Sequence, residues 1–285
     1  LWRFDALAWG SAETIEHTMN RPPALEAIFY ARKKDALDAR PTAVRSSPLR
    51  VIEGVRFAVD GKVKVPITDA LRVGEQIRRN LMGSLSRIVG QDELSSTFSG
   101  KDSGGTPVRG HTHVSILSLD EDLDGFIDTV LIASPQPFSV AEQRAIDRLH
   151  PVRRPNGHAM VLTPIRYGTR DELMCRTTPV VSQTPFAPFR HWRLKRDGEE
   201  NAWLTAQIAG ECEQRGLPPV LGVRRVSLAN ATRRRARWLD FKRSRKDDSP
   251  QPAYRLQLTF SEPVLAPFSI GYASHFGLGT FVTLK

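Results

Sequence analysis

SGKDSGGTPVRGHTHVSILSLDEDLDGFIDTVLIASP, residues Ser99 to Pro135, is the stretch whose reading decides the fold. It opens as a glycine-rich loop and enters an apolar, β-branched run from Val114 to Leu119. It then turns on Asp120, Asp122, Asp124 and Gly125 and returns through Phe126 to Ala133. Asp and Gly tolerate left-handed backbone or bond to it, so two strands joined by a sharp acidic turn are expected. His111 and His113 lie two apart at the entry to the first strand, which on extended backbone sets both on one face. Two imidazoles there, at the mouth of a loop, serve either acid–base chemistry or the anchoring of the loop.

Upstream, Val51, Val55, Phe57 and Val59 predict a strand closed by Asp60-Gly61. Asp69 to Val89 is expected to be a helix, because Leu71, Val73, Ile77, Leu81, Leu85 and Ile88 recur every three or four residues with arginines opposite. Downstream, Ser139 and Glu142 form an S-x-x-E capping box for a helix through Leu149, and HAMVLTPIRY, His158 to Tyr167, reads as a further strand. The resulting order, β-α-β-β-α-β, is ferredoxin-like.

A second, less regular unit begins near Arg176. Trp192 and Leu194 point to a strand, and Glu200 to Arg215 to a helix stopped by Gly216. Val220 to Leu228 and Tyr254 to Phe260 follow as strands, and GYASHFGLGTFVTL, Gly271 to Leu284, ends in a glycine-rich loop and a last strand. The expected fold class is therefore α+β, with two tandem ferredoxin-like (RRM-like) domains at residues 50–172 and 173–285. Residues 1–49 read as a lead-in with one amphipathic helix after Pro22-Pro23. Because the chain starts at Leu1 without a methionine, it is read as the C-terminal portion of something longer or as a processed product.

At 285 residues, 40% hydrophobic and 25% charged, the composition is that of a soluble globular protein, and no apolar run approaches the roughly 20 residues of a membrane span. Cys175 and Cys212 form no CxxC pair, which argues against a zinc site or a disulfide framework and fits a reducing cytoplasm. The net charge of +10 is concentrated between Gly222 and Lys246, where ten Arg or Lys face one acid, Asp240. Such a run is either a solvated face or a surface for a polyanion. The near absence of acids favours the polyanion, and Trp238 and Phe241 offer planes for stacking bases.

Gly271, Gly277 and Gly279, around Ser274-His275, either let backbone amides approach a phosphate or make a tight turn. DEDLDGFIDTVL resembles a D-x-D-x-DG calcium loop, but Leu131 stands where the bidentate Glu belongs and strands flank it. A hairpin turn is therefore expected, with no metal and no cofactor. His111, His113 and His275 sit beside glycine-rich loops, and imidazole works as acid or base near neutral pH. Beside a basic groove the reaction that needs only such groups is RNA transesterification, with Lys or Arg offsetting charge on the phosphorane.

GKDSGGTPVRGHTHVSILSLDEDLDGFID, together with EPVLAPFSIGYASHFGLGTF near the end, resembles the CRISPR-associated proteins of type I-G (formerly I-U) systems. In these a Cascade backbone subunit of the "Cas five" kind is fused to a "Cas six" crRNA-processing endoribonuclease. The resemblance covers roughly Val51 to Lys285, and residues 1–49 would then be the tail of the backbone domain or a linker. It implies binding of CRISPR repeat RNA and metal-independent cleavage leaving 2′,3′-cyclic phosphate and 5′-hydroxyl ends. It also implies retention on the guide RNA beside other Cascade backbone and large subunits, in the cytoplasm and away from membrane.

On this reading His111 and His113 are the base and acid, His275 can substitute for either, and Lys101 or Arg109 stabilises the phosphate. Arg224, Arg225, Arg233, Arg234, Arg235, Arg237, Trp238, Lys242 and Arg243, with Gly271, Gly277 and Gly279, bind the RNA. Many enzymes of this kind carry a histidine early in the first domain, whereas none occurs here between His17 and His111. Either the base has moved to the loop before the second strand, or the chain binds RNA as a non-catalytic subunit.

Overall fold

The computed structural model of the chain describes residues 11–16, 51–90, 95–102, 105–106, 108, 113–149, 152–153, 159–189, 200–226, 241 and 253–284. Residues 1–49 and 50–285 form two units. In the first, α1 (Ser11–Glu16) is described, and the helix expected after Pro22-Pro23 lies outside the described residues.

The second unit begins with β1 (Gly54–Asp60), whose Val55 and Phe57 are fully buried. Next come α2 (Ala70–Val89), a single turn α3 (Ser96–Ser99), β2 (Ser115–Leu119) and β3 (Thr129–Ala133). After these lie α4 (Val140–Asp147), β4 (Val152–Arg153), β5 (Ala159–Gly168) and the short α5 (Arg170–Leu173). The sheet runs β2-β3-β1-β5-β4 with every pair antiparallel. Apart from the two-residue β4, that is the strand order of a ferredoxin-like fold. Helix α2 lays Leu71, Val73, Ile77, Leu81 and Leu85 on the sheet, where they join Val55, Phe57, Val130 and Ile132 in one core. The predicted capping box of α4 forms in both directions between Ser139 and Glu142.

β2 and β3 are buried on both faces. Ile116, Val130 and Ile132 join the α2 core, while Leu117, Leu119, Leu131 and Ala133 form a separate cluster with Leu173, against which Val282 packs. Strands read as near-continuous apolar runs when neither face meets water, which is how this pair reads.

The second sheet is built from β6 (Cys175–Ser182), β7 (Val220–Arg225), β8 (Leu256–Ala266), β9 (Phe268–Ser269) and β10 (Thr280–Thr283). Its order, β7-β8-β6-β10-β9, repeats that of the first sheet. Helix α6 (Glu200–Gln214) covers it with Leu204, Ile208 and Cys212, and ends at Gly216 in a left-handed conformation, φ +64°. A glycine-rich segment with one 3-10 turn, Ser274–Phe276, stands where a second crossover helix would be.

Two expectations change. The first strand of this sheet is β6, whereas Trp192 and Leu194 lie outside the described residues. β6 hides in the sequence because CRTTPVVS is half polar and carries Pro179, which a register shift between Thr177 and Pro179 accommodates. Phe241, expected as a plane for bases, is only 5% exposed and packs in the α2 core, so its ring is spent on folding. Among the described residues no helix is long and apolar enough to cross a membrane.

The two cysteines are free, Cys175 exposed and Cys212 buried. Burial pushes the Cys212 thiol up to about 12, leaving almost no thiolate at neutral pH. Iodoacetamide at pH 8 is expected to modify Cys175 alone in the native protein and Cys212 only after urea. Equal labelling of both under native conditions, read by peptide mass, would show that α6 does not pack as described.

Candidate active site

The glycine-rich segment lies against α2 and β2. Gly271, Gly277 and Gly279 have φ of +85°, +88° and +62°, where a side chain is strained. Space forbids one as well. A Cβ would stand 2.5 Å from the Ala187 carbonyl oxygen at Gly271, 3.1 Å from that of Ile116 at Gly277 and 2.1 Å from that of Ile270 at Gly279. Their amides are taken within the protein. Gly271 N donates to Glu211 Oε2 at 3.3 Å, Gly277 N to Ser274 O at 3.0 Å and Gly279 N to Pro185 O at 3.0 Å. The tight-turn reading accounts for these glycines, and a phosphate at this loop would need other donors.

The last turn of α6 holds the segment in place. Glu211 accepts from Gly271 N, and its neighbour Arg215 donates to Ser274 Oγ at 2.9 Å. The two side chains are nearly buried and stand 3.5 Å apart. Burial lowers the Arg215 pKa from its ordinary value, and the Glu211 carboxylate opposes that shift. On the other side Gly74 of α2 opens the space for the loop, since a Cβ there would lie 2.6 Å from the Phe276 carbonyl oxygen.

This packing sets His275 against His113. The ring centroids are 3.4 Å apart with the planes at 35°, and both residues are half-buried. His113 lies in a bend before β2 rather than on the strand, so the same-face argument for His111 and His113 does not apply. His111 and Arg109 lie outside the described residues. Arg78 of α2 organises the surroundings. Its guanidinium donates to the carbonyls of Phe98 (2.8 Å) and Ser99, and lies over the Phe276 ring, 5.5 Å from the centroid. Gly100, left-handed at φ +66°, runs beside His113, and the exposed Lys101 follows it. The turn is held by Ser99 Oγ, which accepts from Lys101 N at 3.1 Å.

The remaining predicted residues are elsewhere or undescribed. Arg224 and Arg225 are exposed on the edge strand β7. Arg224 donates to Gln257, while Arg225 pairs with Glu200 at 3.0 Å and lies over the Tyr254 ring. Arg233, Arg234, Arg235, Arg237, Trp238, Lys242 and Arg243 lie outside the described residues. Sequence reading passed over a second cationic feature, a shallow cleft lined by Arg79, Asn80, Gly83, Ser84, Arg87, Arg148 and Leu149. Arg79 and Arg87, on the polar face of the helix, were the available signal. His275, grouped with His111 and His113 in the sequence reading, meets His113 across 162 positions of the chain.

At the far end of β2 the acidic turn forms as a hairpin connection. Asp122 Oδ1 accepts from Asp124 N at 3.0 Å, Asp124 Oδ1 from Phe126 N at 2.9 Å and Asp128 Oδ2 from Glu121 N at 2.6 Å. Burial pushes the Asp120 carboxyl up to about 6, with Asp128, Asp124 and Asp122 adding to the rise and the hydrogen bond from Gly125 opposing it.

No family model matches the chain, and no curated protein matches it. Solved structures similar to it include the product of a Cas6-related gene from Pyrococcus furiosus, at 10% identity and a TM-score of 0.37, over 82% of this chain and 99% of that one. Another is a CRISPR associated protein Cas6, at 11% identity and a TM-score of 0.38, with the same coverage. A third is an RAMP protein binding different RNA substrates, at 9% identity and a TM-score of 0.37, over 82% of this chain and all of that one. At these identities and TM-scores the likeness carries no functional argument.

The loop placement is testable through two glycines of one helix. Gly74→Ala drives a methyl into the Phe276 backbone and is expected to destabilise by about 1–3 kcal/mol. Gly83→Ala meets nothing within 4 Å and is expected to stabilise by about 0.5–1 kcal/mol. Urea denaturation of both variants checks this, and equal effects at the two positions would mean that the loop does not rest on α2.

Proposed function

We propose that this chain binds CRISPR repeat RNA and cuts it by metal-independent transesterification. The observation that carries the reading is the approach of two imidazoles, His113 and His275, to a ring separation of 3.4 Å beside the Gly100-Lys101 turn. One imidazole takes the proton of a 2′-hydroxyl, the oxygen attacks the adjacent phosphate, and the second imidazole protonates the departing 5′-oxygen. The reaction needs one ring neutral to take the proton and the other protonated to give one. Lys101 offsets charge on the phosphorane. Arg109 and His111, which precede His113 in the sequence, are the reserve cation and imidazole. The products are a 2′,3′-cyclic phosphate and a 5′-hydroxyl.

RNA is held by the basic stretch Arg233, Arg234, Arg235, Arg237, Trp238, Lys242 and Arg243, together with Arg224 and Arg225. Gly271, Gly277 and Gly279 contribute by shaping the loop that carries His275. The motif resemblance supports the finer reading: a type I-G "Cas six" half, joined to a "Cas five" half and remaining on the guide RNA with other Cascade subunits in the cytoplasm. A second reading, a non-catalytic crRNA-binding subunit, is favoured by the absence of histidine between His17 and His111.

Repeat RNA is expected to be cut in EDTA, and a 2′-deoxy substitution at the scissile nucleotide is expected to block cutting without blocking binding. His113→Ala and His275→Ala should each slow single-turnover cleavage at least tenfold, about 1.4 kcal/mol of transition-state stabilisation, with RNA affinity kept. The pH–rate profile should be bell-shaped and lose one limb in each variant. Tight binding of uncut RNA by the unmodified protein would establish the second reading. Wild-type cutting by both variants would remove the histidine pair from the reaction.

A further inference from the structure

The acidic turn between β2 and β3 takes no part in the reaction proposed above. Asp120, Asp122 and Asp124 each offer a carboxylate oxygen, and these three oxygens lie within 4.8 Å of one another. Asp120 is only 2% exposed. Its Oδ2 accepts from Gly125 N at 2.9 Å, while its Oδ1 is sealed from solvent and has no hydrogen-bond partner. A buried carboxylate oxygen left unsatisfied is costly, and native structures leave few without a reason.

The nearby cations do not remove the deficit. Lys64 reaches Asp124 Oδ2 at 2.6 Å, and Arg56 pairs with Glu121 at 3.0 Å. Five acids, Asp120, Glu121, Asp122, Asp124 and Asp128, are crowded into nine residues against these two bases.

We propose that Asp120, Asp122 and Asp124 hold a divalent cation, of which calcium is the best fit. The donors are all oxygen, with no imidazole or thiolate, which disfavours transition metals. Calcium accepts irregular coordination completed by carbonyls and water, whereas magnesium demands a near-ideal octahedron. The missing acid at position 131 bears on affinity rather than on whether the pocket exists.

The ion would brace a junction. Asp120 N donates to Gln183 Oε1 at 3.2 Å, and Gln183 Nε2 donates back to Asp120 O at 2.5 Å. Gln183 follows β6 directly, and its own amide donates to Thr280 O at the start of β10. Filling the site therefore stiffens the contact between the two sheets. It lies beyond the opposite end of β2 from His113, a strand about 17 Å long, so its role is structural and its test is independent of RNA cleavage.

The experiment uses the full chain, stripped with EGTA and dialysed. Calcium is titrated by isothermal calorimetry and the melting temperature is followed, with magnesium and sodium chloride arms at matched ionic strength. Saturable binding of one calcium per chain is expected, with a rise in Tm of about 5 °C or more at saturation and a weaker response to magnesium. Asp122→Asn, at an exposed position, should weaken calcium binding at least tenfold while leaving the calcium-free Tm unchanged. Asp120→Asn should abolish the calcium response and raise the calcium-free Tm, because it removes the buried charge. Absence of saturable heat, a Tm rise that sodium chloride reproduces, or unaltered calcium affinity in Asp122→Asn would each overturn the site.

Discussion

The two-sided burial of the β2–β3 hairpin is the constraint from which the rest of the second unit follows. Ile116, Val130 and Ile132 must be covered on one face, and Leu117, Leu119, Leu131 and Ala133 on the other. Helix α2 takes the first face, and Leu173 with Val282 of the second sheet takes the other. At roughly 1.5–3 kcal/mol for each large apolar side chain buried, neither cluster can be left in water. Both sheets are therefore needed for a single hairpin to be stable. The segment that leads into β10 is drawn across β2 and α2 as a consequence.

Close approach of backbone to backbone makes that crossing possible, and it explains where the glycines are. Gly74 and Gly277 stand at the points where the loop touches α2 and β2, and Gly279 where it folds on itself. Glu211 and Arg215 hold the loop from behind, through one backbone amide and one hydroxyl. His275 is thus carried on a segment fixed at several points, while His113 sits in a bend supported by the Arg78 bonds to Phe98 and Ser99. Support on both sides fixes the separation of the two rings.

Much of the architecture was legible in local pattern. The helical recurrence of Leu71, Ile77, Leu81 and Leu85, the capping box at Ser139, the acidic turn and the glycine stop at 216 all formed as expected. These depend on nearest neighbours in the chain, which is why one sequence suffices to see them. β6 escaped because a proline and polar residues mask a strand held by partners on both sides, β8 and β10. Phe241 was misread because a ring inside a basic run looks available until the fold places it in a core.

Residue chemistry and spacing alone determined the α+β class, the repeated ferredoxin-like order, the candidate imidazoles and the concentration of positive charge beyond Gly222. Tertiary structure alone decided which imidazoles meet, that the glycine amides turn inward, and that the Asp120 carboxylate is shut away from water. The physical reason is range. Turn, cap and periodicity are set by atoms a few residues apart, whereas the meeting of positions 113 and 275 depends on burying both faces of one hairpin between two sheets.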